Sequence, residues 1–132
     1  MKILIVEDDF AARRILKDIL SAYGDCDVAI DGSEAIQAYR LAKEDNNPYE
    51  LICMDIMMPR VDGQEALIKI RELEKTSGVK NSDEVKVIMV SALDTPKTVV
   101  DSYYRGGATS YIVKPVEREK LLQELRNMDL ID

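Results

Sequence analysis

The chain has no histidine among its 132 residues and only two cysteines. Without an imidazole it has no base for a Ser/His/Asp or Cys/His catalytic group, no nitrogen for a zinc site, and no phosphohistidine of its own. Cys26 and Cys53 lie in separate apolar, strand-like segments with no CxxC spacing, and read as buried reduced thiols. Basic charge is also short. Eighteen Lys and Arg stand against 25 Asp and Glu, for a formal net charge of −7, and the basic residues are scattered among acidic ones. With no basic stripe, direct DNA or RNA binding is not expected. Long apolar runs are missing too: MKILIVEDD has four apolar residues before three acids, too short for a signal peptide or a membrane span. The expected location is cytoplasmic, with no membrane partner. Proline and glycine are few, 4 and 6, beside 46% hydrophobic and 33% charged residues, which argues against disorder or a fibrous chain.

What is present is an alternation. Lys2 to Val6 is a continuous apolar run of strand length, as suits a strand covered on both faces. Ala12, Ile15, Leu16, Ile19, Leu20 and Tyr23 then recur at helical spacing up to Gly24. Cys26 to Ile30 is a shorter strand, followed by Asp31-Gly32-Ser33 as turn and cap, with Glu34 placed for a capping box and Ala35, Ile36, Tyr39 and Ala42 on a second amphipathic helix. Leu51 to Met54 is a third strand; a Pro59/Gly63 loop leads to a third helix with Ala66, Leu67, Ile70 and Leu73 inward and Glu65 paired to Lys69 outside. The polar stretch 76–84 reads as a loop. Val85 to Val90 is a fourth strand, and Thr95-Pro96 opens a fourth helix, roughly Lys97 to Arg105, which has few residues to bury and is a candidate mobile element. Tyr111 to Val113 is the fifth strand, and Leu121, Leu122, Leu125 and Met128 mark the last helix. Five strand–helix pairs predict an α/β fold with a parallel sheet between two helical layers.

Four of these strands stop at a polar residue of a different kind: ILIV at Glu7 and Asp8, LICM at Asp55, VIMV at Ser91, YIV at Lys114. In an open parallel sheet the residues after the carboxyl ends gather on one edge, where such folds bind ligands. Taken singly, each has an ordinary explanation as a helix cap, a turn residue or a surface lysine. Together they bring three carboxylates, a hydroxyl and an ammonium to one place. Three carboxylates that close need compensation, and hard oxygen donors without nitrogen or sulfur select Mg²⁺, with Mn²⁺ as a second option. An Asp beside such an ion can act as nucleophile toward phosphorus, with Ser91 and Lys114 contacting phosphoryl oxygens.

The stretches ILIVEDD, DGSEAI, LICMDIMMPRVDGQEAL, VIMVSA and GATSYIVKP resemble the receiver domain of bacterial two-component response regulators. The resemblance implies a doubly wound (βα)5 sheet of strand order 2-1-3-4-5, flavodoxin-like and CheY-like, and one receiver domain over residues 1–132 with no output domain. It makes Asp55 the phosphoacceptor, with Asp8 and Glu7 as direct and water-mediated metal ligands and the Met57 carbonyl as a further ligand. Ser91 and Lys114 become the phosphoryl-contacting groups, Lys114-Pro115 a cis peptide, and Ser91 with Tyr111 the switch that alters the surface of the fourth helix, fifth strand and fifth helix. The implied donors are a sensor histidine kinase or a histidine phosphotransfer protein, and the implied output is a protein target bound on the switched surface, by a monomer or weak dimer.

The first motif allows two readings, Glu7-Asp8 or Asp8-Asp9, of which Glu7-Asp8 keeps the first helix ungapped. The segment 74–84 is longer than this family leads one to expect. A phosphohydrolase of the haloacid dehalogenase type uses similar groups, but it wants an acid two residues after the nucleophile, where this chain has Met57. A phosphorylation-independent interaction module is the third reading, against which the intact acid cluster argues. Met57 and Leu93, each two residues past a site residue, cannot orient a hydrolytic water, so a long-lived phosphorylated state is expected.

Overall fold

A computed structural model describes residues 1–132. The elements run β1 (Lys2–Val6), α1 (Phe10–Leu20), β2 (Asp25–Ala29), α2 (Gly32–Glu44), β3 (Leu51–Met54), α3 (Gly63–Thr76), β4 (Lys86–Ser91), α4 (Pro96–Tyr104), β5 (Ser110–Val113) and α5 (Arg118–Asn127), with one 3-10 turn at Asn81–Asp83. All strand pairings are parallel and the order is β2-β1-β3-β4-β5. This is the order of a doubly wound flavodoxin-like sheet, and its direction of winding reverses between β1 and β3. No helix is long and apolar enough to cross a membrane.

The sheet separates two cores because successive strand residues face opposite sides. Leu4 and Val6 join Tyr39, Leu67, Ile70 and Met89 on the α2–α3 side. Ile3 and Ile5 join Leu16, Leu20, Leu121 and Leu125 on the α1–α5 side. Fully burying one aliphatic side chain contributes about 1.5–3 kcal/mol. The central strands carry many such residues, while α4 supplies none to either cluster and buries only Ser102. The sequence expectation of a weakly anchored fourth helix thus has a structural form.

Local chemistry sets the helix starts. Asp9, Asp31, Asp62 and Thr95 are N-caps whose side chains accept backbone N–H groups of α1, α2, α3 and α4. At α2 the capping-box partner Glu34 receives its bond from the Ile30 N–H (3.1 Å), one residue before the cap. The Lys114–Pro115 peptide is cis.

Four details differ from the sequence reading. Strands β2 and β4 are each offset by one residue, in opposite directions, and Ile30 lies beyond β2 with its side chain exposed. Cys53 is buried, but Cys26, on the edge strand β2, is only partly so. Lys69 pairs with Glu72 (3.7 Å), not with Glu65. Glu74, at the start of the expected long loop, belongs to α3 and is 2% exposed; it accepts from Arg71 Nη1 (2.6 Å) and from the Val85 N–H (2.7 Å). The connection to β4 therefore folds back over an ion pair whose carboxylate is buried.

Candidate functional site

The sheet's own hydrogen bonding fixes the groups at its carboxyl edge. Beyond the last residue of β1, β3 and β5 the ladder continues one step. The Glu7 N–H donates to the Ala29 carbonyl (3.0 Å), Asp55 N–H to Val6 (3.0 Å), and Lys114 N–H to Ser91 (2.8 Å). Glu7, Asp55 and Lys114, with Ser91 at the end of β4, thus leave the backbone from positions that the sheet fixes, while Asp8 lies one residue beyond. A Cβ on Gly63 would collide with the Asp55 carbonyl oxygen, so glycine alone lets α3 start this close to the edge.

The carboxylates of Glu7, Asp8 and Asp55 offer oxygens that all lie within 4.8 Å of one another. Glu7 and Asp55 are buried, whereas Asp8 opens to solvent. The Lys114 ammonium donates to Glu7 Oε1 and to Asp55 Oδ2, the latter at 3.3 Å. One cation against three carboxylates leaves a deficit, and it shows at Glu7: Oε2 is buried with no hydrogen-bond partner. Burial first, and then the neighbouring Asp55, push the Glu7 carboxyl up to about 7, against the pull of Lys114. Burial alone would lower the Lys114 ammonium, but the carboxylates of Glu7 and Asp55 outweigh it and hold it above its usual value. An orphaned buried carboxylate oxygen in a cluster of three hard donors is what a Mg²⁺-sized dication would satisfy.

The neighbouring acid is employed differently. Asp9 spends its carboxylate on capping α1, accepting from the Ala12 N–H at 2.8 Å, which selects Glu7-Asp8 over Asp8-Asp9 as the pair facing Asp55. Ser91 is fully buried, its hydroxyl accepting from the Leu93 N–H (3.3 Å). The Tyr111 hydroxyl donates to the Leu93 carbonyl (2.6 Å), and the ring is half-buried against the α2–α3 core. Met57, whose N–H donates to Asp55 Oδ1 (3.3 Å), presents a side chain 61% exposed. Met57, Met58, Leu93 and Asp8 line a groove of about 540 Å³ beside the cluster. Gln64 also lines it, and sequence reasoning missed this residue, because a glutamine in the first turn of a helix carries no signal that it reaches back to the sheet edge.

The family model for the response regulator receiver domain matches residues 3–126. Among curated proteins the chain is similar to the chemotaxis protein CheY of Treponema pallidum, 32% identical over 96% of this chain and 81% of that protein, and to CheY of Bacillus subtilis, 33% identical over 94% of this chain and 93% of that one. Among solved structures it is similar to the CheX-CheY-BeF3-Mg²⁺ complex from Borrelia burgdorferi, with a TM-score of 0.84 at 32% identity, covering 98% of this chain and 89% of the other. The receiver domain of the histidine kinase CKI1 from Arabidopsis thaliana, complexed with Mg²⁺ and BeF3, gives a TM-score of 0.82 at 25% identity over 97% and 89% of the two chains. With this fold, this cluster and a match along nearly its whole length, the chain belongs to the receiver-domain family of two-component response regulators.

Proposed function

We propose that the protein is a phosphoacceptor in which Asp55 takes a phosphoryl group from a phosphohistidine of a sensor histidine kinase or a histidine phosphotransfer protein. The observation that carries this reading is the buried Asp55 carboxylate, held between Lys114 and two further carboxylates, one with an oxygen left unpartnered. A carboxylate oxygen of Asp55 attacks phosphorus in line; the P–N bond breaks, its electrons stay with the donor imidazole, which takes a proton, and an acyl phosphate remains on Asp55. Glu7, Asp8 and Asp55 are the side chains that would hold Mg²⁺, joined by the Met57 carbonyl. Bound there, the ion neutralises charge on carboxylates and phosphoryl oxygens. The hard donor set and the Mg²⁺ in the two related complexes favour this ion, and Mn²⁺ finds no such support.

Lys114 then pairs with a phosphoryl oxygen, and the Ser91 hydroxyl, which accepts from the Leu93 N–H at rest, donates its proton to another. Because the Leu93 carbonyl holds the Tyr111 hydroxyl, a movement of Ser91 and Leu93 is passed to β5. The surface made by α4, β5 and α5 changes and recruits a protein target. This is signalling chemistry rather than turnover of a free substrate. Exposure to acetyl phosphate with Mg²⁺ should add the mass of one PO₃ unit to the intact protein. Loss of that adduct on Asp55→Asn exchange supports the assignment, and an unchanged adduct overturns it.

A further inference from the structure

Helix α4 has no apolar anchor, yet it is not free. It contributes no side chain to either hydrophobic core, and its one buried residue is a serine. What holds its inner face to α3 is a small polar seam. Gln64 Nε2 donates to Ser102 Oγ (3.2 Å) and to the Thr98 carbonyl (3.4 Å), while the Ser102 hydroxyl donates back to the same Thr98 carbonyl (3.0 Å). One carboxamide thus spans successive turns of α4.

The other end of Gln64 is tied to the acid cluster. It directly follows Gly63, whose N–H donates to the Ile56 carbonyl (2.9 Å) and whose Cα is packed against the Asp55 carbonyl. Its side chain borders two clefts: the groove it shares with Asp8, Met57 and Leu93, and a second between α3 and α4 that it shares with Asp101 and Arg105. A displacement of the backbone at Asp55 and Ile56 reaches the base of Gln64 through the contacts that Gly63 makes with both.

We infer that Gln64 is a latch: its carboxamide holds α4 in the resting position, and loading of Asp55 competes with that hold. This connection is separate from the one through Ser91, Leu93 and Tyr111, because it approaches α4 from α3 and not from β5. A contact present in the resting state and lost in the loaded one opposes loading by its own free energy, so removing it eases both the opening of α4 and the binding of a phosphoryl mimic.

The test uses Gln64→Met, which keeps the length and removes the amide, and Ser102→Ala, which removes the partner hydroxyl. Amide hydrogen exchange of residues 97–105 in the metal-free protein should accelerate about three- to tenfold in Gln64→Met, the factor that loss of a net hydrogen bond or two brings, and less in Ser102→Ala. Exchange at wild-type rate in Gln64→Met would overturn the latch. This arm needs neither metal nor fluoride, so it stands apart from the phosphoacceptor reading. The second arm rests on that reading: with Mg²⁺ present, beryllofluoride should bind Gln64→Met more tightly than wild type by about the same factor. Faster exchange with unchanged beryllofluoride affinity would keep the α3–α4 contact and overturn its coupling to Asp55. Failure of the wild-type protein to bind beryllofluoride at all would instead count against the phosphoacceptor assignment.

Discussion

Asp8 and Asp9 are adjacent and chemically identical, and the fold gives them unrelated work. Asp9 closes the first turn of α1, and Asp8 points its carboxylate at Asp55 and Glu7. Asp9→Ala should therefore cost about 1 kcal/mol of stability in urea denaturation, the usual worth of an N-cap, with Mg²⁺ affinity within about twofold of wild type. Asp8→Asn should do the opposite: affinity in a Mg²⁺ titration falls by about tenfold or more, while the metal-free protein is no less stable, since one of three crowded negative charges has gone. An Asp9→Ala protein that loses Mg²⁺ binding would shift the acid pair by one residue. Met57 and Leu93 lead to a further expectation at this scale. Both are apolar and border the groove beside Asp55, so neither can position water for in-line attack on a phosphoryl group there. Replacing either by Asn or Gln should speed decay of the phosphorylated protein several-fold, measured by loss of the intact-mass adduct; an unchanged lifetime would mean that water access is set elsewhere. These residues were legible in the chain because each sits at a fixed offset from a strand end. The state of Tyr111 was not, since the bond from its hydroxyl to the Leu93 carbonyl joins residues whose proximity only the folded β4–α4 loop creates.

Among the elements, legibility followed the strength of the apolar pattern. Strands β1 and β3 are continuous apolar runs and lie where their composition puts them, whereas β4 starts and ends one residue later than expected and the mostly exposed edge strand β2 one residue earlier. The charge pattern misled on α3. Spacing pointed to an exposed Glu65–Lys69 pair, while the pairing that matters is Arg71 with Glu74, three residues apart and covered by the return of the chain to β4. Arg71 also donates to the carbonyls of Val85 and Gly107, so a single guanidinium joins α3, the start of β4 and the turn before β5. The Arg71 side chain is 16% exposed and has a second carboxylate, Glu84, at 3.9 Å, so losing Glu74 weakens its pairing without stranding its charge, while the buried Val85 N–H loses a charged acceptor. Glu74→Gln should accordingly destabilise the protein by about 1–3 kcal/mol in urea denaturation, and a loss well below about 1 kcal/mol would show that Glu84 and water replace Glu74. The site chemistry at the opposite edge should be untouched in whatever fraction remains folded.

For the molecule as a whole, charge at the sheet edge links folding, protons and metal. The carboxyl of Glu7 has an ordinary value of 4.5 and is pushed to about 7 by burial first and by Asp55 next, with Lys114 opposing. A folded-state value above the unfolded one means that the metal-free native protein holds a proton that the unfolded chain releases. The stability this contributes is complete below about 4.5 and is lost as pH rises through about 7. Lys114 is also raised, but from an ordinary value of 10.5, so its contribution is constant across that window and is lost only at higher pH. Without metal, the melting temperature of wild type relative to Glu7→Gln should therefore fall between about pH 5 and about pH 8, as Glu7 is forced to ionise. With Mg²⁺ the sign reverses, because the ion binds the ionised carboxylate and competes with its proton. Affinity should strengthen by up to about tenfold per pH unit on the acid side of the Glu7 value and level off above it. The rise in melting temperature on adding Mg²⁺ should thus be large at about pH 8 and small at about pH 5, by differential scanning fluorimetry. An equal rise at both would mean that the Glu7 carboxylate is already ionised in the metal-free protein, with Lys114 alone neutralising it. The wide spacing of these groups in the sequence, from residue 7 to residue 114, is why they act on one another only once the sheet is formed.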